Sequence, residues 1–96
     1  MPHYAIHALD HPGALERRLA HYEAHKAYLA GDLPVRIVIS GPLVAEDGEA
    51  MIGSLFVVEA PDRAAVEHFH AADPFREAGI WAQVSITGFR MRQVAL

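Results

Sequence analysis

Residues 2 to 9 alternate between Tyr4, Ile6 and Ala8 on one side and His3, Ala5, His7 and Leu9 on the other. A period of two with one apolar and one mixed face is that of a strand. Asp10-His11-Pro12-Gly13 interrupts it, and from Ala14 to Ala30 the period lengthens. Leu15, Leu19, Tyr22 and Leu29 then fall in a narrow arc at about 100° per residue, while Glu16, Arg17 and Glu23 point away. The spacing predicts an amphipathic helix of about four to five turns. Gly31 and Pro34 stand where a helix end places them. Val35 to Leu43 reads as a second strand and Met51 to Glu59 as a third, joined through an Asp47-Gly48 turn into a hairpin. Asp62 is positioned to cap a second helix whose inward face is Ala65, Val66 and Phe69. Asp73-Pro74 closes that helix, and Ile80 to Val94 is the final strand.

The order β-α-β-β-α-β predicts an α+β domain spanning residues 1–96, with two helices on one face of a four-stranded antiparallel sheet. Tyr4, Ile6, Ala8, Val35, Ile37, Ile39, Leu55, Val57, Val84 and Ile86 are the set expected under the helices. The opposite set mixes Val38, Phe56, Val58 and Trp81 with His3, His7, Ser40, Ser54 and Gln83. Left uncovered, it would be a large apolar patch, which marks an interface or a ligand groove. The expectation is therefore a homodimer paired through its sheet faces, with a small-molecule cleft among the polar members of that set.

Composition narrows the partners. A domain of 96 residues hides only about 60 to 65% of its unfolded surface, so dimerisation would help it. Net charge −4 removes the electrostatic footing for nucleic-acid binding. No run approaches the ~20 apolar residues of a membrane span, and no leader pattern precedes the first strand, which places the chain in the cytoplasm. Zero cysteines exclude disulfides, thiolate metal sites and a cysteine nucleophile.

Proline after Asp73 disfavours α conformation at the aspartate and holds its carboxylate at a junction between helix and turn. Such an acid can orient a histidine, or it can simply cap the short turn after Pro74. His25, at the edge of the first helix's apolar stripe, is the proposed partner. Histidine changes charge near neutral pH, which suits general acid-base work, and a structural histidine is the alternative. Arg18, two turns earlier, could bind an anionic group or be a solvated helix charge. His21 and His25 have the i, i+4 spacing of a zinc pair, but Glu23 lies one place too late for the zinc-protease motif. His68 and His70 cannot share a helical face. No metal or cofactor is expected. Ser54 lacks the elbow glycine of a serine nucleophile, and Gly53-Ser54 fits better as a close approach offering a hydroxyl.

Arg18, His25, Tyr28-Leu29, Ser40-Gly41-Pro42-Leu43, Gly53-Ser54-Leu55, Val58-Glu59-Ala60, Asp73-Pro74-Phe75 and Ala78-Gly79 in this order resemble the YCII-related (YciI-like) domain family over nearly the whole chain. The resemblance implies a ferredoxin-like fold that dimerises through its sheets, like the dimeric α/β barrels of muconolactone isomerase and its relatives. It implies an active-site pair at His25 and Asp73, an arginine at Arg18 and an acid at Asp10. Tyr22 stands where relatives can carry a second arginine, which weakens a two-arginine clamp. A relative that removes chloride from a chlorinated hydroxyquinol suggests isomerase or lyase chemistry. The expected site is thus His25 and Asp73 in acid-base roles, with Arg18, Asp10, Ser54, Phe56 and Trp81 binding a small aromatic or anionic substrate. The competing expectation is a non-catalytic dimeric binding or accessory module in which the same pair only shapes the cleft.

Overall fold

Strand β1 (His3–Asp10) lies inside the sheet, paired antiparallel to β3 (Met51–Glu59) on one side and β4 (Trp81–Phe89) on the other. β2 (Arg36–Val44) completes it as the outer partner of β3, giving the order β2-β3-β1-β4. In this computed structural model, which describes residues 1–95, α1 (Leu15–Ala20) and α2 (Tyr22–Leu29) follow β1, and α3 (Arg63–Ala71) and α4 (Pro74–Glu77) follow β3. The architecture is the α+β, ferredoxin-like one read from the sequence.

Local chemistry explains most boundaries. In the β2–β3 turn, Asp47 Oδ1 accepts from the Glu49 and Ala50 N–H groups at 2.8 and 3.1 Å, and Gly48 takes the φ of +75° that the turn needs. Asp62 accepts from the Ala65 N–H at 2.9 Å and caps α3 as expected. A Cβ on Gly53 would run into the Ala8 carbonyl oxygen and lie 2.9 Å from Leu43 Cδ1, so this glycine lets β1 and β3 come together. β4 stops at Phe89 rather than Val94 because Phe89 pairs with His3, the first residue of β1.

The first helix differs from its expected form in two ways. It divides at His21, whose N–H is shared between the Arg17 and Arg18 carbonyls at 3.1 and 3.3 Å while its Nδ1 donates to Arg17 O at 2.9 Å. The side turned inward is also not the expected stripe. Leu15, Leu19 and Tyr22 remain exposed, while Ala14, Arg18 and His25 are buried with Tyr28 and Leu29 packed beside them. α3 follows its pattern, with Val66 and Phe69 buried and Ala65 against them. Full burial of side chains of that size contributes about 1.5–3 kcal/mol each.

Register corrects the assignment of sheet faces. Ile6 pairs with Phe56 and Ile86, and Ala8 with Ser54 and Val84, so these residues share the face under the helices. Tyr4, Ile6, Ala8 and Ile86 lie where expected, but on β3 it is Ser54, Phe56 and Val58 that face the helices, with Leu55 and Val57 turned away. Irregular pairing between Ile37 and Ile39 puts Ile37 opposite Val58 and Ile39 opposite Val57, leaving Ile39 on the open face. A register shift at Leu9/Asp10 sets Trp81 opposite Asp10, so the indole leaves the face of Gln83 and Ser85 and is buried with the core. Phe56, Val58 and Trp81 therefore do not form an uncovered patch. Among the described residues no helix is long and apolar enough to cross a membrane.

Candidate functional site

The corrected faces move the cleft from the bare side of the sheet to the layer between sheet and helices. Asp73 has the extended conformation expected before proline, φ −69° and ψ 131°, and is the N-cap of α4. Its Oδ1 accepts from the Phe75 N–H at 2.9 Å and lies 2.9 Å from His25 Nδ1. The capping and the histidine-orienting readings therefore hold together, on one oxygen. Both side chains are buried, and Asp73 Oδ2 has no hydrogen-bond partner. A desolvated carboxylate with one oxygen unpaired strongly favours a donor on its other oxygen, which fixes the His25 proton on Nδ1.

Aromatic rings hold the imidazole on several sides. Phe75 stacks on it at 3.9 Å with planes 5° apart, and Phe56 and Trp81 meet it edge-on at 6.2 and 6.5 Å. Nε2 has no partner among the described residues, yet unlike Asp73 Oδ2 and Trp81 Nε1 it is not cut off from solvent. The ring thus keeps one nitrogen unpaired, on a residue that lines a cavity.

That cavity, about 260 Å³, lies between Arg18, Tyr22, His25, Lys26 and Leu29 of the first helical pair and Ser54 and Phe56 of β3. Ser40-Gly41-Pro42 of the irregular strand β2 forms its remaining wall. A larger, more open depression of about 760 Å³ lies at the chain ends, lined by Met1 to Tyr4 and Gly88 to Arg92, but the ion pair of its lining residue His3 with Glu59 is part-exposed. Buried reactive groups single out the smaller space.

Arg18 is 2% exposed. It donates from Nε to Asp10 Oδ2 at 2.8 Å and from Nη2 to Asp10 Oδ1 at 3.0 Å and Ser54 Oγ at 2.8 Å. Its Cζ lies 4.8 Å from the centre of the Phe75 ring. Strand alternation aims Asp10 to the same side as Ala8, and Ser54 stands directly opposite Ala8, so three elements converge on one guanidinium. Bidentate pairing of this kind holds the fork in a fixed plane.

The structure therefore brings His25, Asp73, Arg18, Asp10, Ser54 and Phe56 together. Asp10 and Trp81 do not line the cavity: Asp10 holds Arg18 from behind, and Trp81 backs the imidazole. Sequence reasoning missed Lys26 and Leu29 as lining residues and Phe75 as the plate against both His25 and Arg18. The available signals were the i, i+4 offsets of Leu29 from His25 and of Lys26 from Tyr22, and the Asp-Pro-Phe run. His21 Nδ1 and His25 Nδ1 serve different partners, Arg17 O and Asp73. Among the described residues no three His, Asp or Glu side chains converge as a metal site would require.

Two further groups report on the surroundings. His70 stacks on Trp81 at 4.9 Å; burial and the Arg76 charge push its pKa below the ordinary 6.5, against an opposing pull from Asp73. Burial, then the Asp73 charge, raises the Tyr28 hydroxyl, which donates to Phe69 O at 2.8 Å.

Residues 2–90 match the YCII-related domain. An uncharacterised Haemophilus influenzae protein is 34% identical over 94 residues, covering 92% of this chain and 96% of its own. Protein YciI of Escherichia coli is 32% identical over 94 residues, covering 91% and 95%. Among solved structures, 5-chloro-2-hydroxyhydroquinone dehydrochlorinase (TftG) of Burkholderia phenoliruptrix, in complex with 2,5-dihydroxybenzoquinone, superposes with a TM-score of 0.80. It is 32% identical, with 92% and 93% of the two chains covered. The domain match and these full-length likenesses agree with the ordered motifs around Arg18, His25 and Asp73, and this chain belongs to the YCII-related domain family.

Proposed function

We propose that this protein is a small-molecule enzyme of isomerase or dehydrochlorinase type, with His25 as general base and acid and Asp73 as its orienting partner. The observation that carries this reading is the 2.9 Å contact between His25 Nδ1 and Asp73 Oδ1, with Nε2 unpaired on a residue that lines a cavity of about 260 Å³. With the proton held on Nδ1, the Nε2 lone pair accepts a proton from a ligand, and Asp73 stabilises the imidazolium until the proton is returned. The similarity to a dehydrochlorinase solved with a quinone ligand supports a small aromatic or quinonoid substrate. A cavity this size has room for a single ring. The open sheet face still carries Ile39, Leu43 and Leu55, which supports pairing with a second copy.

The test is incubation with chlorinated hydroxyquinols, aromatic acids and lactones, followed by mass spectrometry and chloride release. Turnover is expected with at least one of them, and His25→Asn is expected to slow it about 10²–10⁴-fold. Full activity in His25→Asn would remove the histidine from the mechanism. A ligand that binds and returns unchanged would favour the non-catalytic module instead.

A further inference from the structure

Resting on the reading of His25 as the proton-transferring group, we infer that Arg18 and Ser54 form an oxyanion-binding pair, and that the substrate class is a small enolisable carbonyl compound or its phenolic tautomer. Of the five guanidinium N–H groups, Nε–H and both on Nη2 are taken by Asp10 and Ser54, leaving the two on Nη1 without an acceptor among the described residues. Ser54 Oγ accepts from Arg18, so its own hydroxyl proton is free for another acceptor. Both side chains line the cavity that His25 lines. The site thus presents two donors and one basic nitrogen to the same space.

Two features distinguish this pair from a simple anion hook. Asp10 already neutralises the guanidinium through both its oxygens, with the two side chains 2% and 5% exposed, so the donors carry little net charge. Donors of that kind suit an oxygen that is neutral in the bound substrate and gains charge during reaction. They are also fixed in advance, because Ser54 stands in the centre of the sheet between Ala8 and Pro42 and the guanidinium is clamped over Phe75.

The step balances. His25 Nε2 takes a proton from the carbon next to the carbonyl, and the C–H electron pair becomes a C=C bond. The carbonyl π pair moves onto oxygen, between Arg18 Nη1 and the Ser54 hydroxyl. Return of the proton from the imidazolium to the same or a conjugated carbon restores the carbonyl, with exchange or isomerisation as the result.

para-Nitrophenol is the probe, since its absorbance separates phenol from phenolate. The wild type is expected to bind the phenolate about tenfold more tightly than the phenol, and Ser54→Ala to lose most of that preference. His25→Gln is expected to keep the phenolate preference while losing solvent-deuterium exchange into cyclohexanedione. Equal binding of the two forms by the wild type, or an unchanged preference in folded Ser54→Ala, overturns the oxyanion pair. Exchange that survives in His25→Gln would instead overturn the role of the histidine and leave the pair standing.

Discussion

α3 meets the sheet through Val66 and Phe69, whereas α1 and α2 meet it through Arg18 and His25. All four side chains are buried, yet the two layers spend their burial differently. On the α3 side an apolar stripe faces an apolar sheet, the arrangement that yields the most stability per residue. On the α1–α2 side Leu15 and Leu19 are left in solvent at 39% and 53% exposure, while a guanidinium and an imidazole are brought inside. Each then requires its own buried acid, Asp10 or Asp73. Burying ion pairs rarely stabilises more than an apolar core of equal volume would, so stability alone does not account for this layer, whereas the acid-base role proposed for it does.

The largest effect should come from the apolar layer. Phe69→Ala removes a ring packed against Phe56 and Tyr28 and is expected to cost about 3–5 kcal/mol, read from the urea midpoint. Leu19→Ala, on the exposed side, is the control and should cost far less. Similar losses for the two would erase the distinction between buried and exposed faces.

Arg18→Met should come close to it, since it leaves the Asp10 carboxylate buried without its counter-charge, at an expected cost of about 3 kcal/mol or more. Adding Asp10→Asn should recover much of that loss, because the penalty belongs to the unpaired charge and not to missing attraction. A double variant no more stable than Arg18→Met alone would mean that the pair contributes through packing. Neither variant should retain the binding of an oxygen at Nη1.

Asp73→Asn separates folding from function most sharply. The amide oxygen can still accept from the Phe75 N–H, so stability should fall by about 1 kcal/mol or less. The proton transfer proposed for His25 should nevertheless fall by about 10²–10⁴-fold, since a neutral amide does not stabilise the imidazolium. Solvent-deuterium exchange and a thermal melt on the same sample give both values.

Legibility in the sequence follows the same division. β3 was readable to the residue, and Asp62 and Asp73 announced their caps, because strand alternation and capping are local rules. Val66 and Phe69 were readable because an apolar side that is buried matches its pattern. Arg18 and His25 broke the rule that relates polarity to exposure, so periodicity chose Leu15, Leu19 and Tyr22 instead. β3 is apolar on both sides, and Leu55/Val57 could not be told from Phe56/Val58 without the register against Ile6. Trp81 was displaced by a shift in pairing that no spacing within β4 reveals. The meeting of His25 with Asp73, 48 residues apart, came from likeness to a family and not from the local pattern.

The smallest effect concerns the seam between the two layers, where His70 of α3 stacks on Trp81. Burial, reinforced by Arg76 and opposed by Asp73, lowers its pKa in the folded chain below 6.5. The unfolded chain therefore binds the extra proton more readily, and stability rises with pH through the interval between the two values. The contribution of the neutral ring is complete above about pH 6.5 and is lost as pH falls through the lowered folded value. His70→Gln should flatten the pH dependence of stability in that interval, most clearly as a difference between the variant's and the wild type's urea midpoints. The change will be modest because His70 is only half-buried. Identical pH profiles would show that the ring stays solvated on Trp81 and that the seam belongs electrically to neither layer.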